Sequence, residues 1–377
     1  MTGRGRLVAL VAVGLLAAGL AAAAFYGLSH VSASAAAGRR ITDLAGRQVT
    51  VPAEVKRLVA LGPGALRLVA YLRATDRVVG IEDLERRMAR DVFVRPYAST
   101  LDEDFLKLPV VGTGGPGALP DPEKLIMCRP DLIVAVALDP AQLDNVQERT
   151  GVPAVYLSYG ELGVWREEAR KSLSLLGELL GRRERAAALN AYVTSLEGGL
   201  RKRTAGIPAG KRPAAYFGGI SYKGSHGIES TQAGYPPGCL AGARNVADSL
   251  GKKGHFFVDR EQLLVWDPDF VFVDAGSRLI LERDFDKNRK FYRLLGAAGA
   301  GRTFSLLPYN YYNTNMELSL INAWFIGKTT YPDRFADVDL AEKSGEIIEQ
   351  FLGIRPDREI PACRRLRFPE TGPVSWK

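Results

Sequence analysis

A phrase that occurs twice in this chain does most to limit its architecture. Arg129-Pro130-Asp131 leads into the apolar run DLIVAVA (Asp131 to Ala137), and Asp267-Pro268-Asp269 belongs to a second run, PDFVFVD (Pro268 to Asp274). A helical stretch precedes each proline, whose ring and missing N–H stop a helix. Short unbroken apolar runs bounded by turn residues read as strands covered on both faces. Such strands alternating with helices make an α/β fold. One phrase used twice predicts two αβ lobes of related plan.

The remaining elements fit around these two. In the first lobe, residues 41–163, Arg57 to Leu61 (RLVAL), Arg77 to Ile81 (RVVGI), Val110 to Gly112 and Val152 to Leu157 read as further strands. Ala65 to Leu72, Asp121 to Met127 and Pro140 to Arg149 read as helices, with Asp121 as an N-cap and Pro122 in the first turn. Residues 164–204 are helical: Trp165 to Leu180, then, after Gly181, one run from Arg182 to Thr204 with Ala186, Leu189, Val193, Leu196 and Leu200 on one side. That run spans roughly 34 Å, a domain's width. It is either an ordinary core helix or a stiff tie between lobes. Its basic end, Arg201-Lys202-Arg203, reads as solvated. The second lobe, residues 212–355, has strands at Pro213 to Phe217, Pro268 to Asp274 and Arg302 to Leu306. Its helices are placed at Phe285 to Leu295, Met316 to Gly327 and Leu340 to Leu352. The tail, residues 356–377, shows no periodicity.

Residues 1–37 have a different character. Arg4 and Arg6 precede an apolar run from Leu7 to Leu28, and the small-residue stretch SASAAA (Ser32 to Ala37) follows. This is the pattern of an export signal cut near Ala35 or Ala37. The run is also long enough to be kept as a membrane anchor. With no Cys near it, a lipid-modified N-terminal Cys is not expected. The exported portion is therefore expected in the periplasm or an equivalent extracytoplasmic space.

Composition narrows the function classes. The chain is 46% apolar and 24% charged, as a globular protein is. The net charge is +8, of which Arg4 and Arg6 supply two. The mild remainder suits an anionic ligand or membrane surface, and no long like-charge block points to nucleic acid. Cys128, Cys239 and Cys363 form neither a disulfide framework nor a C-x-x-C metal motif. Cys239 with Cys363 is the bridge to test, and Cys128 reads as a small buried hydrophobe. Past residue 37 only His226 and His255 remain, which argues against a bare zinc site with two or three His ligands. No G-x-S-x-G elbow is present, so a hydrolase has no evident nucleophile and no catalytic residue is assigned.

The segments Ile41 to Leu72 (ITDLAGRQVTVPAEVKRLVALGPGALRLVAYL), Gly112 to Val136 and Arg260 to Asp274 (REQLLVWDPDFVFVD) carry a resemblance. The chain resembles the periplasmic substrate-binding proteins of iron–siderophore, haem and vitamin B12 ABC importers over nearly all of Ile41 to Gly353. The iron-complex branch is indicated by ARNVAD (Ala243 to Asp248) and YNYYNTN (Tyr309 to Asn315). The resemblance implies two αβ lobes joined by one rigid helix, for which Arg182 to Thr204 fits, with the ligand in the cleft between them and little closure. It further implies a monomer that delivers its cargo, an iron chelate, to an ABC permease and its ATPase. It implies no cofactor and no chemistry on the ligand. Haem or cobalamin is the alternative cargo, and an exported sensor, scaffold or α/β hydrolase the alternative of another class. Glu103 and Glu261 are candidates for docking the permease.

Cleft contacts are expected from loops at strand ends. Gly62, Pro63, Gly64 and Arg67 follow the first strand, where glycines allow close backbone approach and helix-start N–H groups suit an anion. Arg95 can fork onto carboxylate or catecholate oxygens, with Tyr97 beside it. GTGGPG (Gly112 to Gly117) lacks the Lys-Ser/Thr ending of a phosphate loop and reads as a cleft rim. In the long loop Gly218 to Thr231, Ser221, Tyr222 and His226 are candidates, His226 as a ligand to haem iron or a contact to a chelate. Asn310, Tyr311, Tyr312 and Asn313 offer flat rings with polar tips and amides that donate and accept. No residue is expected to ligate a resident metal. The same loop can equally cap the helix that follows it.

Overall fold

A computed structural model of the chain describes residues 38–160 and 167–355, together with the backbone of Arg365–Leu366. The export segment and Cys363 lie outside the described residues. No helix among the described residues is long and apolar enough to cross a membrane. Strands β1 (Arg39–Thr42) and β2 (Gln48–Val51) form a two-stranded sheet. Residues 38–41 and Thr50–Ala53 belong to a small unit of their own, and both lobes lie in a second compact unit.

The first lobe is built on five parallel strands: β3 (Leu58–Leu61), β4 (Val78–Glu82), β5 (Val110–Gly112), β6 (Leu132–Val136) and β7 (Ala154–Leu157). Their spatial order is β5-β4-β3-β6-β7, each neighbouring pair parallel. β3 and β6, in the middle, are buried at every residue, as strands covered by helices on both faces must be. Val59, Leu61, Ile133 and Ala135 join Leu125, Leu143 and the buried Cys128 in one core. The strand order reverses between β3 and β6, and ligands of such sheets bind outside the carboxyl ends at that reversal.

The second lobe holds β8 (Ala214–Gly218), β9 (Ser230–Gln232), β10 (Arg244–Asn245), β11 (His255–Phe257), β12 (Phe270–Asp274), β13 (Thr303–Leu306) and β14 (Arg365–Leu366). The path is β11-β9-β8-β12-β13-β14, with β10 also paired to β8. β8, β12 and β13 run parallel, while β9, β11 and β14 are antiparallel additions. The additions were not legible as strands, because β9 to β11 are two or three residues long. The tail also contributes β14 despite its lack of pattern.

The repeated phrase has a physical cause. Arg129 and Asp267 both end their helices in the left-handed region, at φ 47° and 36°. Proline then starts an extended segment, and the aspartate after it reaches sideways to a neighbouring strand. The Asp131 carboxylate accepts from the N–H groups of Lys56 and Arg57, both at 2.8 Å, just ahead of β3. The Asp269 carboxylate accepts from Ala214 N–H at 2.7 Å, the first residue of β8. In each lobe the phrase therefore sets the register of the central strand.

The tie between the lobes is a 22-residue helix, Arg183–Thr204, with Ala186, Leu189, Val193, Leu196 and Leu200 buried along one side. Its first turn anchors others: Arg185 donates to the carbonyls of Tyr71 and Phe351, both at 3.0 Å. Its basic end is not simply solvated. Arg203 pairs with Asp337 at 2.6 Å and lies over the Phe335 ring at 5.0 Å. One expected helix is corrected. Phe285 to Leu295 is not continuous: Arg278–Lys287 ends and Arg289–Leu294 begins at Asn288, whose φ of −124° breaks the spiral while its side chain bonds Asp284 at 2.8 Å. Arg278–Lys287 went unseen because charge interrupts its apolar spacing.

Candidate functional site

The carboxyl ends of both sheets face one cleft of about 980 Å³. From the first lobe come Pro63, after β3, and the segment Arg90 to Val94 after β4, with Pro116 from the glycine-rich rim. From the second lobe come Ser221 to Ser225 after β8, Gly276 after β12, and Asn310 to Asn313 after β13. A side cavity of about 360 Å³ shares Ser221, Tyr222 and Asn310 with the cleft and runs back to Gln232, Lys253 and His255.

Of the residues expected at a ligand, Pro63, Ser221, Tyr222, Asn310, Tyr311, Tyr312 and Asn313 are brought together on the cleft wall. Gly62 and Gly64 are not on it. Both adopt positive φ (80° and 89°) in a packed turn, where a Cβ on Gly62 would stand 2.1 Å from the Val136 carbonyl oxygen and one on Gly64 2.9 Å from the Tyr159 ring. Their glycine requirement comes from neighbouring protein atoms. His226 lies beside the side cavity, next to His255, and is treated below.

The two arginines are corrections. Arg67 and Arg95 are each wholly buried. Arg67 crosses between lobes beneath the cleft, donating to the carbonyls of Thr314 (3.0 Å), Tyr312 (2.9 Å) and Tyr311 (3.2 Å). Arg95 is paired with Glu85 and hydrogen-bonded to the Tyr97 hydroxyl at 3.0 Å, with the Tyr312 ring 5.3 Å above it. Tyr97 is buried with them, bonded to Glu85 at 2.9 Å. An arginine one turn after a glycine turn, as Arg67 is in its helix, or on a loop, as Arg95 is, looks available from sequence. Its burial comes from partners far along the chain, Tyr311 to Thr314 for Arg67, and from Glu85 for Arg95.

The YNYYNTN loop belongs by sequence to the second lobe, yet much of its hydrogen bonding is to the first. Besides the three carbonyls on Arg67, the Asn313 amide donates to Pro63 O at 3.1 Å and the Tyr312 hydroxyl to the Glu82 carboxylate at 3.1 Å. Tyr312 and Asn313 hold positive φ (54° and 70°), a conformation that side-chain-bearing residues adopt at a cost and that clusters at working sites. Asn315 also ties the loop to itself, its amide donating to Tyr309 O at 3.2 Å and Tyr311 O at 3.0 Å.

Sequence reasoning missed the buried carboxylates under the floor. Glu82, at the end of β4, accepts from Gly62 N–H at 3.0 Å as well as from Tyr312. Burial pushes its carboxyl up to about 7, with nearby Glu85 adding to the effect. Glu85 is also raised by burial, against the pull of Arg95. Asp274, at the end of β12, is raised by burial to about 7 although Gly276 N–H donates to it at 2.7 Å. Glu82 and Asp274 each close a strand of apolar residues, the position where a strand end meets a cleft, and that was the available signal. Exposed Arg90 and Lys223 bring positive charge to the rim, partly offset by Asp91. Among the described residues no group of three or more His, Cys, Asp or Glu is arranged to hold a metal ion.

The family model described as periplasmic binding protein matches residues 58–292. The molybdate-binding protein MolA of Haemophilus influenzae is 25% identical over 356 residues, 88% of this chain and 96% of that protein. The structure of MolA bound to molybdate superimposes with a TM-score of 0.65 at 21% identity, covering 85% of this chain and 99% of that one. A periplasmic solute binding protein from Veillonella parvula superimposes with a TM-score of 0.67 at 21% identity, covering 86% and 96%. Two αβ lobes, a single connecting helix and a cleft at the sheet ends accord with these likenesses, and the chain belongs to the periplasmic binding protein family that serves ABC importers.

Proposed function

We propose that this chain captures an anionic, already chelated metal, a ferric complex above all, and hands it to a membrane permease. The observation that carries this reading is the cleft itself. At about 980 Å³ it has the volume of a drug-sized ligand site. Phe93, Tyr222, Tyr311 and Tyr312 give it flat apolar walls with hydroxyl tips, and Arg90 and Lys223 favour negative charge. Such a surface grips the organic shell of a chelate by area and a few polar contacts.

A second reading, a tetrahedral oxyanion such as molybdate, is favoured by the likeness to MolA. Against it stands the employment of Arg67 and Arg95. Both guanidiniums are buried off the cleft wall, Arg67 on carbonyls and Arg95 on Glu85 and Tyr97, and a small anion needs short donors converging on it.

Tyrosine fluorescence titration against ferric catecholates and hydroxamates, haem, cobalamin, molybdate and tungstate separates these readings. A ferric chelate is expected to quench with sub-micromolar affinity. Replacing Tyr311 and Tyr312 together by Ala is expected to weaken it at least about tenfold, the loss of two ring contacts. Saturation by molybdate alone, with no response to any chelate, would refute the chelate reading and select the oxyanion.

A further inference from the structure

Two histidines remain past residue 37, 29 positions apart, and the fold brings them side by side. His226, on the loop after β8, and His255, the first residue of β11, have ring centroids 5.8 Å apart at an interplanar angle of 34°. Phe257 meets both rings edge-on at 5.1 Å, and Tyr222 stacks on His255 at 4.6 Å. Both histidines are half-buried, and His255 lines the side cavity.

The hydrogen bonds fix which nitrogen of each ring is available. His226 Nε2 lies 2.8 Å from the Tyr222 carbonyl oxygen, which can only accept, so Nε2 carries the hydrogen. Ser230 donates its one hydroxyl hydrogen to Ile220 O at 2.7 Å. It must therefore accept on its 2.8 Å contact with His255, whose Nε2 also carries the hydrogen. In its neutral form each ring then presents Nδ1 with a free lone pair. A metal-ligating imidazole shows this same arrangement, its other N–H held by a carbonyl or hydroxyl. Burial and the neighbouring His226 hold the His255 imidazole below its ordinary pKa, which keeps it in the ligating neutral form at pH 7.

We propose that Nδ1 of His226 and Nδ1 of His255 together bind one borderline transition-metal ion, Cu²⁺ or Ni²⁺ in preference to harder cations, on the wall of the side cavity. A metal about 2.0–2.1 Å from two imidazole nitrogens sets their ring centroids about 5–6.5 Å apart for ligand angles from tetrahedral to linear, and the observed 5.8 Å falls in that span. Imidazole nitrogens select copper and nickel over magnesium and calcium. The pair supplies two nitrogens, and the other coordination positions go to water or to a small chelator in the cavity. This site adjoins the main cleft through Tyr222, but it takes a bare ion and does not depend on which ligand the cleft holds.

The test uses untagged full-length protein carrying His30→Gln, so that every imidazole signal comes from the pair. Metal-free protein is titrated with Cu²⁺ and with Ni²⁺ alone by calorimetry, and the Cu²⁺ complex is examined by electron paramagnetic resonance. One equivalent of Cu²⁺ is expected, with hyperfine coupling to two imidazole nitrogens. H226A and H255A should each remove one nitrogen and weaken binding more than tenfold. S230A should keep both nitrogens yet weaken binding by roughly 10–100-fold, the usual effect of an outer partner. If a His variant does not fold, protection of the wild-type imidazoles from diethyl pyrocarbonate by Ni²⁺ gives the same answer. A Cu²⁺ signal without imidazole coupling, or binding unchanged in both His variants, overturns the proposal. The Cu²⁺ and Ni²⁺ titrations contain no chelate, so failure of this site is distinguishable from failure of the cleft reading.

Discussion

Replacing Glu82 by Gln should make this protein more stable, and only above a definite pH. Glu82 is 2% exposed and its carboxyl is raised from 4.5 to about 7, chiefly by burial. Below pH 4.5 the group is protonated in the folded and unfolded chains alike, and its full contribution to stability is present. Between pH 4.5 and 7 the unfolded chain ionises freely while the buried group holds its proton, so folding loses stability as pH rises. The difference of about 2.5 pH units corresponds to about 3 kcal/mol, lost by pH 8. Gln keeps the acceptor oxygen that Gly62 N–H and the Tyr312 hydroxyl use and carries no charge to desolvate. E82Q should match the wild type at pH 4 and exceed it by about 3 kcal/mol at pH 8, on the order of 4 °C in Tm. Asp274 titrates in the same range in both proteins, so the difference between their melting profiles isolates Glu82. A pH-independent difference, or a variant less stable at pH 8, would refute the reasoning.

Two further outcomes test the floor of the cleft. Arg67→Ala leaves the carbonyls of Tyr311, Tyr312 and Thr314 without their shared donor and Glu317 without a neighbouring charge. It should cost about 3–5 kcal/mol in a denaturant titration, far more than an exposed arginine would. Gly62→Ala drives a methyl against the Val136 carbonyl at positive φ and should cost about 3 kcal/mol by the same measurement. Gly117→Ser, which meets no atoms but also holds positive φ (72°), should cost only the conformational part, about 1 kcal/mol.

The two-lobe plan was readable because it rests on local rules. Buried strands announce themselves as unbroken apolar runs, and proline after a helix leaves an unmistakable boundary. The cleft-facing Tyr and Asn residues were also readable, because such a cluster fits neither a core nor an ordinary solvent loop. Arg67, Arg95 and Tyr97 were misread for the opposite reason. Their burial depends on Glu85 and on residues 311 to 314, and pairings across a fold leave no trace in local spacing. His226 was read as a lone candidate and His255 was given no role, and only the β9–β11 pairing sets them beside one another. Glu82 and Asp274 passed unnoticed, because an acid closing an apolar run ordinarily marks only where a strand leaves the core.

The loop from Tyr309 to Asn315 is grown by one half of the molecule and moored to the other. Prying the halves apart therefore means pulling Arg67, Pro63 and Glu82 off this loop, several hydrogen bonds that a rigid opening must break together. Wide gaping of the cleft is thereby penalised, while Tyr311, the loop's exposed ring, is the part that another surface can reach without it.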